Sequence, residues 1–500
     1  MLNQPRKLIQ RGLAAVDGLL DGLTSYKLVY YFLLILLGWA VVISFGNSLP
    51  FKWFDLVFSA GILAAACRLT GEVFSRVLNI ARSSDSDYIT ALILSLIMSP
   101  ATNTKGFAVL VGVGFAAIAS KYIITYGRRH LLNPAAAGAA LSGVLFHQYA
   151  SWWVGTPKLA PLVLVGGLLI MRKMKRFWMI AAFTLIYGLF LHQQYDGAPP
   201  VHTVWLAATG TAVMFFAFVM LIEPQTTPDK FRNYLFYSGL VGVLYGYNKL
   251  HISPEEALLI GNLLAFCLEP WKRLNLKLQT VRKEAKGLYT FAFAYHGLFK
   301  YSAGQYMEWT IPLRKTDIRG NRRYLSLSSS PTENLLAFTV KIPAKASFFK
   351  QALAAFKAGD QILASKPSGS FTLPADENKQ LAFVAGGIGA SPFRSMAKYM
   401  IDAKQKRNAH LLYYASSASE FAFQDTFNQA AQNGLASNFI NTSSEPISAQ
   451  SIGRRIPDYK DRLFYVSGPY GFVKSINEAL TNLGISPRNI KSDYFPGYGG

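Results

Sequence analysis

The pattern of apolar and polar positions divides the chain near residue 270. Before that point, long apolar runs recur at roughly 28–45, 54–67, 88–98, 107–120, 133–146, 159–171, 177–191, 204–222, 234–247 and 255–268. A helix that crosses a bilayer takes about 20 residues, so the longer runs read as spans. The shorter ones must borrow residues from their flanks or lie buried in protein. After residue 270 the period changes. Tyr289-Thr290-Phe291-Ala292-Phe293-Ala294-Tyr295 alternates as a strand does. Leu381-Ala382-Phe383-Val384-Ala385 is continuously apolar, as in a parallel strand buried on both faces. The pattern predicts an α-helical transmembrane bundle of about ten helices, followed by a part with strands.

Charge orients the first part. One set of loops holds Arg6, Lys7, Arg11 and Lys27, then Arg68, Arg76 and Arg82, then Lys121, Arg128 and Arg129. It continues with Arg172, Lys173, Lys175 and Arg176, then Lys230 and Arg232, then Lys272, Arg273 and Lys277. The alternate loops hold one each, Lys52, Lys105, Lys158 and Lys249. Cytoplasmic loops retain Lys and Arg, so both termini are expected on the cytoplasmic side of a cell membrane. The same loops account for the net charge of +23, and nucleic acid is not expected as a partner. The first apolar run starts behind a long basic lead, which argues against a cleavable leader. Only Cys67 and Cys267 are present, too few for an iron–sulfur cluster or a disulfide framework.

Several of the short runs come in pairs. The run to Met98 enters Ser99-Pro100-Ala101-Thr102-Asn103-Thr104, and five runs later Ile222 enters Glu223-Pro224-Gln225-Thr226-Thr227-Pro228. Asn133-Pro134 and Ser253-Pro254 open helices in corresponding places, with Asn or Ser as cap and Pro at the first position. An offset of five spans inverts orientation, which predicts inverted repeats with a site where the interrupted helices meet. Ser120-Lys121-Tyr122, Arg129-His130-Leu131-Leu132-Asn133-Pro134-Ala135 and the 223–228 segment resemble the membrane protein family shared by the sodium-pumping NADH:quinone reductase and the Rnf electron-transport complex, over about 25–270. In that family FMN is carried on the Thr of a Ser-Gly-Ala-Thr motif. The corresponding loop, Asp196 to Thr203, lacks that Thr. The resemblance therefore implies FMN or riboflavin held without that bond, or no flavin, in the membrane half.

From residue 287 to the end the chain resembles the ferredoxin-NADP reductase superfamily, which implies an antiparallel β-barrel for FAD and an α/β Rossmann-like domain for a nicotinamide nucleotide. Ala303-Gly304-Gln305-Tyr306 resembles the strand end of the family's barrel. Arg323-Tyr324-Leu325-Ser326-Leu327-Ser328-Ser329 resembles the family's Arg-x-Tyr-Ser-x-x-Ser. The implied roles are Arg323 on the FAD pyrophosphate, Ser326 at the flavin, and Tyr324, Leu325 and Ser329 around it. Arg322 with Tyr324 is the alternative register. Guanidinium suits phosphate bidentately, so either reading is chemically sound. Ser347 stands where the family grips the pyrophosphate at a helix start, and Pro367-Ser368-Gly369-Ser370-Phe371 resembles the segment that closes the barrel.

Gly386-Gly387-Ile388-Gly389-Ala390-Ser391-Pro392 follows the apolar strand and precedes a helix. Glycines let backbone approach a diphosphate, and the helix start supplies amides and the positive end of its dipole. Ser467-Gly468-Pro469 resembles the family's Cys/Ser-Gly-Pro beside the nicotinamide. Asp493-Tyr494-Phe495-Pro496-Gly497-Tyr498 resembles its terminal Glu-x-Phe-x-Gly-Tyr, with Phe495 as a cover for the flavin. Ser416-Ser417-Ala418-Ser419 offers no cation for a 2′-phosphate, which favours NADH over NADPH.

The expected organisation is 1–27 cytoplasmic, 28–270 transmembrane, 271–286 a basic linker, 287–375 the FAD barrel and 376–500 the nicotinamide domain. The expected function is flavin-dependent NAD(P)H oxidation at a membrane. Electrons would enter the membrane half toward a bound flavin, quinone or another acceptor, with further electron-transport proteins as candidate partners. Two alternatives compete. A haem-bearing ferric-reductase type needs paired His at both depths, whereas His147, His192, His202 and His251 fall at outer ends and His130 alone lies inside. A redox-linked transporter would use intramembrane acids, for which Asp55 and Glu223 are the candidates. No metal site is expected.

Overall fold

The computed structural model describes residues 23–78, 84–127, 129–194, 212–295, 300–313 and 320–495, with 16, 20 and 317. It divides into two compact units, residues 1–273 with 318–320 and residues 274–317 with 321–500.

The N-terminal unit is helical: α1 (Ser25–Phe45), α2 (Trp53–Val77), α3 (Ser84–Ile97), α4 (Thr104–Ile123), α5 (Pro134–Phe146), α6 (Ala160–Met174) and α7 (Phe177–Gln194). A short α8 (Val213–Phe215) continues as a π turn over Phe216–Met220, and α9 (Phe231–Gly246) and α10 (Pro254–Leu268) follow. Helices thus lie at the apolar runs, but ten spans is corrected. Among the described residues, three helices (α1, α2 and α4) are long and apolar enough to cross a membrane. The reason is local. Helices α3, α5, α6, α9 and α10 run only 13 to 16 residues. Asn133 caps α5 by accepting from the Ala136 amide at 3.0 Å, and Ser253 with Glu256 forms a reciprocal cap on α10. Caps set a start that hydropathy alone does not register. The loop from Asp196 to Thr203, with His202, lies outside the described residues.

The interrupted helices interlock. Helix α10 packs on α5 and α9, and α4 packs on α2 and α5. The Asn133 amide donates to Asn262 Oδ1 of α10 at 2.8 Å, and Asn133 Nδ2 donates to Glu223 at 2.9 Å. His130 Nε2 lies 3.4 Å from the same carboxylate. Trp152 Nε1 donates to Glu255 at 3.1 Å. Asp87, buried on α3, meets Lys121 of α4 at 3.3 Å. Asp87 and Glu255 are more deeply buried than Asp55 and Glu223. Large apolar side chains face outward instead, among them Ile35, Phe45, Phe58, Leu69 and Phe115.

In the C-terminal unit six antiparallel strands come first: β3 (Leu274–Ala285), β4 (Leu288–Ala294), β5 (Tyr306–Thr310), β6 (Arg322–Ser326), β7 (Leu335–Lys341) and β8 (Gln361–Ala364), in the order β6-β5-β8-β3-β4-β7. The two-residue strands β1 (Thr125–Tyr126) and β2 (Arg129–His130) belong to the other unit. The basic linker expected over 271–286 is corrected, because 274–285 is strand β3. Leu276 and Leu278 are buried while Lys277, Arg282 and Lys283 point outward, so a half-buried strand with a basic outer face resembles a linker in composition. Phe291, Phe293, Met307, Trp309 and Phe338 fill the barrel, and α11 (Phe348–Ala354) adds Phe349 and Leu353 to that core.

Five parallel strands follow, β9 (Leu381–Gly386), β10 (Ala409–Ala415), β11 (Leu435–Asn441), β12 (Leu463–Pro469) and β13 (Ile490–Phe495), in the order β11-β10-β9-β12-β13. The helices are α12 (Ala390–Asp402), α13 (Gln424–Gln429), α14 (Ala449–Arg455) and α15 (Tyr470–Asn482). The order reverses beside β9, so the crevice outside its carboxyl end is where a nucleotide fits in a sheet of this kind. Arg462, 2% exposed, holds the strand starts in line by donating to the Leu381 and Asn408 carbonyls at 2.9 and 3.2 Å.

Candidate functional site

Strand β9 ends in Gly386, Gly387–Gly389 make one tight turn, and α12 starts at Ala390. Gly387 has φ +53°, and a Cβ built on it meets nothing within 4 Å. It is therefore a bare backbone position facing open space, which is what an incoming diphosphate requires. Gly389 is the opposite case: a Cβ there would stand 2.1 Å from the Ser467 carbonyl oxygen. The turn is thus pressed against the end of β12. A Cβ on Gly468 would likewise meet the Phe472 ring at 2.7 Å. Ile388 is half-buried, and Ser391 and Pro392 are buried in the first turn of α12. Ser391 Oγ donates to the Ile388 carbonyl at 2.9 Å and so braces the turn.

The end of β12 meets the last strand. Ser467 pairs in register with Asp493, and Pro469 with Phe495. Ser467 is fully buried, and among the described residues its Oγ has no hydrogen-bond partner. Ser326, at the end of β6, donates to Asp493 Oδ2 at 3.4 Å. Three strands therefore bring Ser326, Asp493 and Ser467 together, next to the turn at Gly389. Asp493 was not among the expected site residues, although it stands two places before Phe495. The Phe495 backbone ends β13, and Gly497 and Tyr498 lie outside the described residues.

Pairing with β5 decides how β6 faces. Arg323 and Leu325 lie opposite Trp309 and Met307, both fully buried in the barrel, so they share the core side. Tyr324 and Ser326 lie opposite Glu308 and Tyr306 on the other side. Tyr324 is 52% exposed, its hydroxyl donates to Glu308 at 2.9 Å, and its ring stands edge-on to Tyr306. Leu325 as a flavin contact is accordingly corrected: it packs against the core, and Tyr324 presents the aromatic face. Ser329 is also corrected. It is fully buried, bonded to Tyr301 Oη and to the Ala337 amide at 3.0 Å each.

Arg323 reaches the start of α11. Its guanidinium lies over the Phe349 ring, 5.0 Å from the centroid, and 3.9 Å from the Asp317 carboxylate. That carboxylate also accepts the Phe348 amide at 3.2 Å, and Ser347 caps the same helix by accepting from the Lys350 amide. A guanidinium and a helix-start amide thus converge on one carboxylate, and both are donor types that suit a phosphate as well. Arg323 and the α11 start lie on the core side of β6, whereas Arg322, the alternative register, shares the side of Tyr324 and Ser326 and lies 3.6 Å from Glu308.

Beyond β10 the loop runs Ser416 to Glu420. Tyr414 pairs with Gly386, so this loop leaves the sheet beside the glycine turn. Ser416 Oγ donates to Glu420 at 2.7 Å, and that bond, with help from Lys341, holds the Glu420 carboxyl below its usual range. The carboxylate pairs with the Lys341 ammonium at 3.3 Å, so both charges stand at this loop.

Comparison with known proteins agrees with the β9–α12 reading. Residues 383–478 match the family model of the oxidoreductase NAD-binding domain, so an oxidoreductase NAD-binding domain is present there. Flavohemoprotein A of Dictyostelium discoideum is 24% identical over 213 residues, covering 39% of this chain and 52% of that protein. A flavohemoprotein of Rhodopirellula baltica is 29% identical over 153 residues, covering 27% and 37%. The chain therefore spans about half the length, or less, of these curated relatives. Among solved structures, the flavohem-like FAD/NAD-binding domain of nitric oxide dioxygenase from Vibrio cholerae is similar at 21% identity and a TM-score of 0.40, covering 44% of this chain and 98% of that one. A ferredoxin-NADP+ reductase from Neisseria gonorrhoeae with bound FAD and NADP is similar at 18% identity and 0.39, covering 45% and 99%.

Proposed function

We propose that the chain is a membrane-bound, flavin-dependent NAD(P)H oxidoreductase that binds FAD and NAD(P)H in its C-terminal unit and passes the electrons into its helical unit. The observation that carries the reading is the meeting of Ser326, Asp493 and Ser467 beside the open glycine turn. A nicotinamide nucleotide on that turn and a flavin on β6 would face each other there. FAD, when bound, supplies the exchange between a two-electron donor and one-electron acceptors. The protein supplies the rest. Arg322 and Arg323 offer guanidinium groups, Tyr324 offers a ring, and Ser326 offers a hydroxyl that Asp493 orients.

The helical unit supports a bilayer as solvent. Three helices are long and apolar enough to cross, and large apolar side chains face outward on them. In water such a surface would be a liability; in lipid it is the favoured one. Polar side chains at the interrupted helices, Asn133, Glu223, Asn262 and Glu255, mark where a quinone, an FMN or riboflavin, or another acceptor would be met. In this reading the C-terminal unit lies on the cytoplasmic side of the cell membrane. The Ser416–Ser419 run carries no cation of its own, and Glu420 at its end favours NADH. The test is a binding titration of the purified full chain: NADH is expected to bind at least about tenfold tighter than NADPH, since about 1.4 kcal/mol of repulsion at one phosphate suffices. Equal affinities would remove the selection, and binding of neither would remove the reductase reading.

A further inference from the structure

The helix that starts at the glycine turn also grips the strand that carries Ser326. Arg394, five residues past Gly389 on α12, donates to the Ser328 carbonyl at 3.0 Å and forks onto Glu333, with Nη2 to Oε1 at 3.0 Å. Glu333 in turn accepts the Ser330 amide at 2.7 Å. Ser395 Oγ donates to the Ser329 carbonyl at 2.5 Å. Further along the helix, Asp402 accepts from Thr332 at 2.6 Å and pairs with Lys398 at 2.6 Å. Apart from Lys398, every one of these partners lies in 328–333, the segment that leaves β6 directly after Ser326.

The pair is half-buried, with side-chain exposures of 14% for Arg394 and 17% for Glu333, and its two ends come from different layers of the unit. A bidentate, partly desolvated Arg–carboxylate pair is among the few ion pairs with both strength and fixed geometry. None of these groups belongs to the nucleotide turn or to the Ser326–Asp493 pair.

We propose that Arg394 and Glu333 form a positioning clasp, which sets how far the flavin strand stands from the nicotinamide turn. The clasp rests on the function proposed above, and neither residue touches a reacting atom. Reaction between two bound partners depends steeply on their separation, and a shift of about 1 Å can cost on the order of a hundredfold. One helix that receives the nucleotide at its first turn and fastens the flavin strand at its second would remove that freedom.

The test uses the full chain and the substitution Arg394→Met, which keeps bulk and removes the fork. Three quantities are measured: hydrogen exchange of amides in 322–333, the NADH dissociation constant, and the rate of flavin reduction. The clasp predicts exchange at 328–333 faster by at least about tenfold, reduction slower by roughly ten- to a hundredfold, and NADH affinity within about threefold of the parent. Because the single variant could fold poorly, the exchanged pair Arg394→Glu with Glu333→Arg is made as well. Recovery of both exchange protection and rate in the pair supports the clasp. Unchanged exchange and rate in Arg394→Met overturns it, as does a loss of NADH affinity in proportion to the loss of rate. A parent chain with no reducible flavin would overturn the proposed function instead, and the exchange measurement would still decide whether the clasp exists.

Discussion

Gly389→Ala is expected to abolish NADH binding and to destabilise the C-terminal unit by roughly 3 kcal/mol, the upper range for forcing atoms into a packed interior. The added methyl would lie 2.1 Å from the Ser467 carbonyl oxygen, 2.5 Å from its carbon and 2.7 Å from Gly468 Cα. All three are backbone atoms, so no side chain can swing away. Relief must come from parting β9 and β12, which are paired from Leu381↔Leu463 to Ala385↔Ser467. That movement would carry Ser467, together with its β13 neighbour Asp493, away from the glycine turn. Gly387→Ala makes the contrast. Its methyl meets no neighbour, and the left-handed φ costs only about 1 kcal/mol. Its effect should appear in NADH affinity and hardly in denaturant unfolding. A Gly389→Ala chain with parental unfolding and parental NADH binding would show that the turn does not abut β12 as described.

Ser326→Ala and Asp493→Ala are each expected to slow NADH-dependent flavin reduction by roughly a hundredfold, within the range for losing one positioned hydrogen-bonding or proton-handling group. NADH affinity should stay within a few-fold, because neither residue belongs to the glycine turn. The hydroxyl and carboxylate groups are bonded at 3.4 Å, so they act as one unit. The double variant should therefore lose little beyond either single one. Rapid mixing with NADH, followed at the flavin band, separates the cases. Losses under threefold in both singles, or losses that multiply in the double variant, would separate Ser326 and Asp493 from the chemistry.

Legibility in the sequence followed how local each signal is. The glycine turn is written in consecutive residues, a buried strand, three glycines and a helix start, and it stands as read. The caps at Asn133 and Ser253 are equally local. The number of spans is not, because a 13- to 16-residue apolar helix packed inside protein and a full span give the same local hydropathy. Strand β3 was hidden by its own composition: the basic outer face of Lys277, Arg282 and Lys283 outweighs the buried Leu276 and Leu278 in a simple reading. Tandem arginines at 322 and 323 left the facing of β6 open. Only the pairing of Arg323 with Trp309 resolved it, turning Leu325 inward and Tyr324 outward. Contacts between distant segments were out of reach. The Arg394–Glu333 pair spans 61 positions and Ser326–Asp493 spans 167. The Asp317 carboxylate that draws Arg323 and the α11 start together gives no sign of that in its neighbours along the chain.

The measurement that tests the central claim most directly is an anaerobic NADH titration of the full chain in lipid nanodiscs, with and without a lipid-confined quinone, followed in the visible spectrum. The account predicts that NADH bleaches a bound flavin band and that adding quinone restores it, as electrons leave through the helical unit. A flavin that NADH bleaches but quinone leaves reduced, while a water-soluble acceptor restores it, would contradict passage to quinone through the helical unit. A chain that carries no flavin, or one that NADH leaves oxidised, would contradict the account altogether.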